Sequence, residues 1–367
     1  MHSMAIDRKT FLLGGLAMAA WPLLPPNLFG SERELFAAAL REPGGEFAAA
    51  IFSLEHGEMA RVALPARGHA FAVQPASGAC VAFARRPGTF AVAFDAIGAK
   101  APLWFAANPG RHFYGHGVFS NDGRLLYSTE NDFERKRGMI GVRDATDGYR
   151  QIGEFASGGI GPHDIALLRD GRTLVVANGG IETHPDSGRS PLNLATMTPS
   201  LVYIDTQSGD VLERHELTRD LHQLSIRHIA VTMSGDVVFG CQFNGPRNER
   251  PTLVGFHKRG ERLRLADIPQ AVNGLLKGYV GSICVDSSGE IVAATSPRGG
   301  VVLYFDVAGK RLLGSAPFGD ASGVADRAHS SGFIVISGEG RIAAASPGQL
   351  ELLARTGTAW DNHAALL

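Results

Sequence analysis

Cysteine is scarce: three residues, Cys80, Cys241 and Cys284, occur in a chain of 367. They show no C-x-x-C spacing and an odd count, which argues against a disulfide framework. Each sits inside an apolar run and reads as a buried strand residue, with a Cys241 to Cys284 bridge left open for an oxidising compartment. Charge is also sparse, at 19% of residues and a net value of -1, so there is no electrostatic footprint for nucleic acid. Lysine is rare, 6 residues against 29 arginines. No stretch keeps a helical apolar period for long, and no G-x-S-x-G, P-loop, G-x-G-x-x-G, H-E-x-x-H, EF-hand or C-x-x-C-H motif occurs. Any enzyme activity would need residues gathered from distant parts of the chain.

What is abundant is turn chemistry, with 46 glycines and 19 prolines, and apolar residues, at 44%. The chain can bury a large core, and its length suits one large all-β unit. The amino terminus, "IDRKTFLLGGLAMAAWPLL", sets Arg8 and Lys9 before a short apolar run with Ala17 and Ala19 near its end. That is the layout of a signal peptide, too short and too interrupted by glycine for a membrane span. It also resembles the twin-arginine export signal, with Lys9 in place of the second arginine. Residues 1–30 are expected to be an export signal and 31–367 a single domain, located in the periplasm with no integral membrane segment after signal removal.

Beyond a helix-like segment, "SERELFAAALRE", the chain repeats a unit of apolar run, tight turn and apolar run. The clearest copies are "HGVFSNDGRLLYSTEN", "HDIALLRDGRTLVVANGG", "HIAVTMSGDVVFGCQ" and "SICVDSSGEIVAATSPRGG". Each is followed by a second pair of runs, such as "SLVYIDTQSGDVLERHEL". Four antiparallel strands recurring roughly every forty to fifty residues is the pattern of a β-propeller blade. The copies start at His69, His116, His163, His228, Ser282 and His329. The terminal "WDNHAALL" supplies one more inner strand near His363, and "EFAAAIFSLEHGEMARVALP" supplies outer strands for it. The expected fold is therefore a seven-bladed β-propeller closed by pairing of amino- and carboxyl-terminal strands.

In such a blade the start of the innermost strand and the loop after the second strand share one face. This predicts convergence of His69, His116, His163, His228, His329 and His363 with Arg85, Arg86, Glu130, Asn131, Asn178, Gln242, Asn244 and Arg298. Imidazoles from neighbouring blades pointing into one funnel could coordinate a transition metal such as copper, iron or zinc. The metal ligands expected are His116, His163, His228 and His363; Asp164 and Asp361 stand beside two of them as candidates to orient the rings. His69, Glu130, Asn178, Gln242 and Arg298 are the other ligand-binding candidates, and Arg85, Arg86, Arg247, Arg250 and Arg298 could form an anion-binding rim. His56, His184, His215, His222 and His257 read as solvated, His184 lying in the long insertion "GGIETHPDSGRSPLNLATMTPS". Side chains alternate across a strand, so the unequal spacing from histidine to turn glycine requires compensating bulges if all are to point inward.

As a set, "RKTFLLGG", "GHGVFSNDGRLLYSTEND", "GIGPHDIALLRDGRTLVVANGG", "SIRHIA" and "WDNHAALL" resemble a family of exported bacterial propeller proteins of unknown function. Members are often encoded beside imelysin-type, iron-regulated periplasmic proteins. The resemblance spans the mature chain and implies a periplasmic seven-bladed propeller with a link to iron or copper acquisition and to periplasmic iron-uptake partners. Three functional expectations follow. The first is binding of a metal ion, iron or copper, or of a metal-bearing ligand at the histidine-lined channel. The second is a scaffold that docks a periplasmic partner through the arginine-rich loops and residues 180–199. The third is a lactonase-like hydrolase, resting on Glu130, Asn131, Asn178 and Asn244.

Overall fold

In a computed structural model describing residues 34–367 apart from Ala76, Ala99 and His329, the repeated runs form seven antiparallel sheets of four strands each. The segment read as an export signal lies outside the described residues. Six blades follow one another along the chain, over 68–106, 111–156, 162–216, 224–265, 282–317 and 321–355. Their innermost strands are Gly68–Val73, Arg111–Phe119, Pro162–Leu167, Leu224–Val231, Ser282–Val285 and Ala321–Asp326. Each packs against the next around a ring, completed by Ala359–Leu366. The only α-helix among the described residues is Gln270–Leu275, and none there is long and apolar enough to cross a membrane.

Burial explains why continuous apolar runs become strands here. A second strand is covered on both faces by neighbouring blades, so Thr173–Asn178 is buried along its whole length. An outermost strand such as Arg150–Ala156 is largely exposed. The tight turn between the first two strands uses glycine at positive φ, as at Gly123 (69°) and Gly171 (66°).

The closing blade joins both ends of the described chain. Its order places Ala359–Leu366 innermost, followed by Leu35–Arg41, Phe47–Ser53 and Gly57–Leu64. Phe36 pairs with Leu366, Ala38 with Ala364 and Leu40 with Trp360. The strand Leu35–Arg41 corrects the helix-like reading of "SERELFAAALRE". Leucine and alanine favour helix in isolation, but a short apolar run has no decisive period. Here strands flank it on both sides, and Phe36, Ala37, Ala38, Ala39 and Leu40 are all buried.

A second correction concerns the sixth repeat. Its innermost strand is Ala321–Asp326, ahead of the start assigned to His329, and Phe333–Ser337 is its second strand. The sequence "ASGVAD" is rich in small residues and lacks a strong apolar signature, so its strand was not visible. His329 lies outside the described residues.

Candidate metal centre

Five of the seven innermost strands bring a histidine to the channel: His69, His116, His163, His228 and His363. Breaks in strand pairing make this convergence workable. Pairing skips between Gly68 and Phe71, between Phe113 and Gly117, between Pro162 and Asp164, and between Ile226 and His228. In the closing blade it skips from Trp360 to Ala364. Four of the histidines thus sit in bulged segments, and His228 directly follows the bulged Arg227. Bulges of different size absorb the unequal spacing and re-aim the side chains. His363 holds φ at 137°, a conformation costing a non-glycine residue about 1–3 kcal/mol. Gly115, at φ 107°, lets the backbone pass His69, where a Cβ would lie 2.5 Å from the ring.

The rings form one cluster. Centroids are 4.7 Å apart for His69 and His363, 4.7 Å for His116 and His363, 4.7 Å for His163 and His228, 4.8 Å for His228 and His363, and 4.9 Å for His69 and His116. Two triads, His69–His116–His363 and His116–His163–His228, each offer donor atoms within 4.8 Å of one another. With ligand bonds of about 2.0–2.1 Å, donors on one ion lie no more than about 4.2 Å apart, a difference that side-chain rotation closes.

Donor chemistry fits a metal. Burial, reinforced by neighbouring imidazoles and by Arg85 or Arg227, holds His69, His163 and His363 well below the usual imidazole range. Burial likewise takes His228 to about 3. These rings are neutral at pH 7, the form that binds metal. His69 Nδ1, His116 Nε2, His163 Nδ1, His363 Nε2 and both nitrogens of His228 are buried with no hydrogen-bond partner. A buried polar atom left unsatisfied costs about 1–3 kcal/mol, and several together in one channel call for a common partner.

Outer groups orient the rings, with a change of partners from the sequence expectation. Asp164 does not orient its neighbour His163; its Oδ1 accepts from His116 Nδ1 of the preceding blade at 2.9 Å. It also accepts from the Ile165 and Ile229 backbone N–H groups, joining three blades. Burial raises the Asp164 carboxyl, but His116, His228 and the Ile229 N–H outweigh it and hold it below the usual range. With Nδ1 held by Asp164, Nε2 is the His116 nitrogen left to ligate. Asp361 does not orient His363 either, because it is bound by Arg67 and lies 3.8 Å from Arg85. His163 and Asp164 are consecutive and face opposite ways. Asp361 and His363 are two residues apart, and the break in pairing between Trp360 and Ala364, with His363 at positive φ, turns them apart. His363 Nδ1 instead meets Ser282 Oγ at 3.3 Å.

The other candidates are placed differently. His69 belongs to the cluster on equal terms. Glu130 is fully buried: its Oε1 accepts from Arg143 Nη2 at 2.9 Å and Ser128 Oγ at 2.9 Å, and its Oε2 lies 3.7 Å from Arg111. Arg143 in turn lies over the Phe105 and Phe113 rings, so this ion pair is part of the interface between two blades. Asn178 accepts from Ser157 Oγ and donates to the Ser157 carbonyl, a latch between blades. Asn131 is engaged by His112 and the Thr183 carbonyl, and Gln242 by Asn244. Glu130, Asn131, Asn178 and Asn244 each hold hydrogen bonds to neighbouring protein groups. Arg298 lies 4.9 Å over the Tyr279 ring, and Tyr279 accepts from Asn362, next to His363.

His257, read as solvated, is buried and satisfied, accepting from Tyr203 Oη at 2.6 Å and donating to the Glu261 carbonyl at 3.0 Å. It lies with Glu213 and His215 in a third group of suitable spacing, but Glu213 already holds Arg259, His215 and the Gly260 N–H. Its donors are engaged, unlike those of the channel. The three thiols are free, with Cys80 and Cys241 buried. Sequence reasoning passed over Arg227, which is 4% exposed beside the cluster; the Arg-His pair in "SIRHIA" was its signal.

Comparison with solved structures shows the propeller fold. A chain from "Kuenenia stuttgartiensis Hydrazine Synthase" is 16% identical with a TM-score of 0.57, over 87% of this chain and 94% of that one. A chain from "Crystal structure of Nidogen/Laminin Complex" is 12% identical with a TM-score of 0.52, over 78% of this chain and 93% of that one. Identities this low carry the fold alone. No curated protein matches the sequence. A family model described as "Protein of unknown function (DUF1513)" matches residues 62–367, which takes in every histidine of the channel cluster. This β-propeller chain belongs to the DUF1513 family of proteins of unknown function.

Proposed function

We propose that this propeller binds a transition-metal ion, copper or iron, or a ligand carrying one, through His116, His163, His228 and His363, with His69 as a fifth donor. The observation that carries the reading is the set of buried, unpartnered imidazole nitrogens in one channel. An all-imidazole set without thiolate suits copper, iron, zinc or nickel, and divalent affinities at such a site peak at copper. The carboxylate of Asp164 on His116 supplies the outer support that metal-ligating histidines require. The signal-like amino terminus supports export to the periplasm, where the protein would serve iron uptake beside periplasmic partners.

Metal analysis of protein purified under metal-replete conditions, beside His163→Ala and His228→Ala variants, is the test. At least one equivalent in the parent and a marked loss in both variants is expected. Absence of stoichiometric metal from the parent would overturn the reading.

A further inference from the structure

The histidine channel is overlaid with positive charge that the protein itself leaves largely uncompensated. Arg227 is 4% exposed, its Nε has no hydrogen-bond partner, and no carboxylate of the described residues lies within ion-pair distance of it. Arg85 Nη1 is likewise buried without a hydrogen bond, its nearest carboxylate being Asp361 at 3.8 Å. Arg86, Arg189 and Arg85 lie close enough to Arg227 for their charges to act on it. Arg85 is brought to about 10 by burial against the pull of Asp361, with Arg189 and Arg67 as further depressing neighbours. Both guanidinium groups act on the imidazoles: Arg85 on His69 and His363, Arg227 on His163, and the two together on His228. Arg189 reaches this group from the long insertion, which is tied down by Lys136 on Glu182 and by Asn193 on the Gly180 carbonyl.

Two carboxylates stand near these arginines and the rings. Asp361 accepts from both Arg67 Nη2 and the Asn362 N–H, and Asp164 is held by His116 and two backbone N–H groups. Neither is free for Arg227. A bare divalent cation bound among neutral imidazoles would therefore add charge of the same sign to a buried cationic site, an arrangement that low dielectric makes costly. An occupant bringing negative charge removes the conflict, and guanidinium groups are well suited to carboxylate or phosphate oxygens.

We propose that Arg227 and Arg85, beside the histidine cluster, bind a small oxyanion, carboxylate or phosphate, with Arg189 closing over it. The inference deepens the metal reading and rests on it only for the expectation that anion and metal bind more tightly together than apart. The arginines stand as an anion site without it.

The test is calorimetric titration of the full protein with inorganic phosphate and, separately, succinate, in metal-free and copper-loaded forms. At least one anion should bind, more tightly to the copper-loaded form, and the two arms separate phosphate from carboxylate chemistry. Arg227→Met should weaken binding by about tenfold or more, the loss of a charge-assisted hydrogen bond. The exposed Arg189→Ala variant, which removes no buried group, should weaken it by a smaller factor. Failure of both anions to bind at millimolar concentration, or wild-type affinity in a folded Arg227→Met protein, would overturn the proposal. Metal content measured in the same samples keeps the two readings distinct: metal without anion contradicts this one alone, and anion without metal contradicts the metal reading alone.

Discussion

Asp164 connects three blades through one carboxylate, fixing His116 from one side and the Ile229 N–H from another. Asp164→Asn keeps the shape but removes the charge that sets the His116 tautomer. Metal affinity should fall about 10–100-fold by competition with a chelator, and because the amide nitrogen cannot accept, the N–H facing it is left unpaired at a cost of about 1–3 kcal/mol. An unchanged affinity would deny Asp164 its outer role. Gly115→Ala sets a Cβ against the His69 ring at a positive φ and should cost about 1–3 kcal/mol in urea unfolding. The histidines were legible in sequence because they recur at equivalent repeat positions. Their partners were not, because Asp164 adjoins His163 and Asp361 lies two residues from His363, yet they hold His116 and Arg67 instead. Arg227 was hidden for the same reason: its position gains meaning only once a bulge sets it beside the channel.

Among elements, the strand pairs with Asp-Gly or Ser-Gly turns declared themselves, because positive φ is needed between two apolar runs. The strand Leu35–Arg41 did not, since an alanine-rich run satisfies helix propensity equally well until its neighbours bury both faces. Bulge size was equally silent, being set by how each inner strand meets the next. The closing blade can be tested without touching the site. Phe52, on the strand Phe47–Ser53 of the closing blade, is buried with its ring 5.0 Å from that of Trp360. Phe52→Ala should destabilise by about 3–5 kcal/mol in chemical denaturation, while metal per folded molecule stays constant. Loss of metal with the fold intact would place Phe52 in the site.

For the whole molecule, the ring makes the site a property of no single blade: each triad draws on three innermost strands. Metal binding should therefore stabilise the closed propeller as a unit. Copper held at about a hundred times its dissociation constant adds about 2.7 kcal/mol if it binds the folded state alone. Scanning calorimetry should show a raised melting temperature in the parent and none in His163→Ala/His228→Ala. The central claim is that the channel imidazoles share a metal, and X-ray absorption at the metal edge of the loaded protein tests it most directly. The account predicts an inner shell with about three or four nitrogen scatterers near about 2.0 Å, with the multiple-scattering pattern of imidazole. A shell of oxygen alone, with no imidazole pattern, would contradict it.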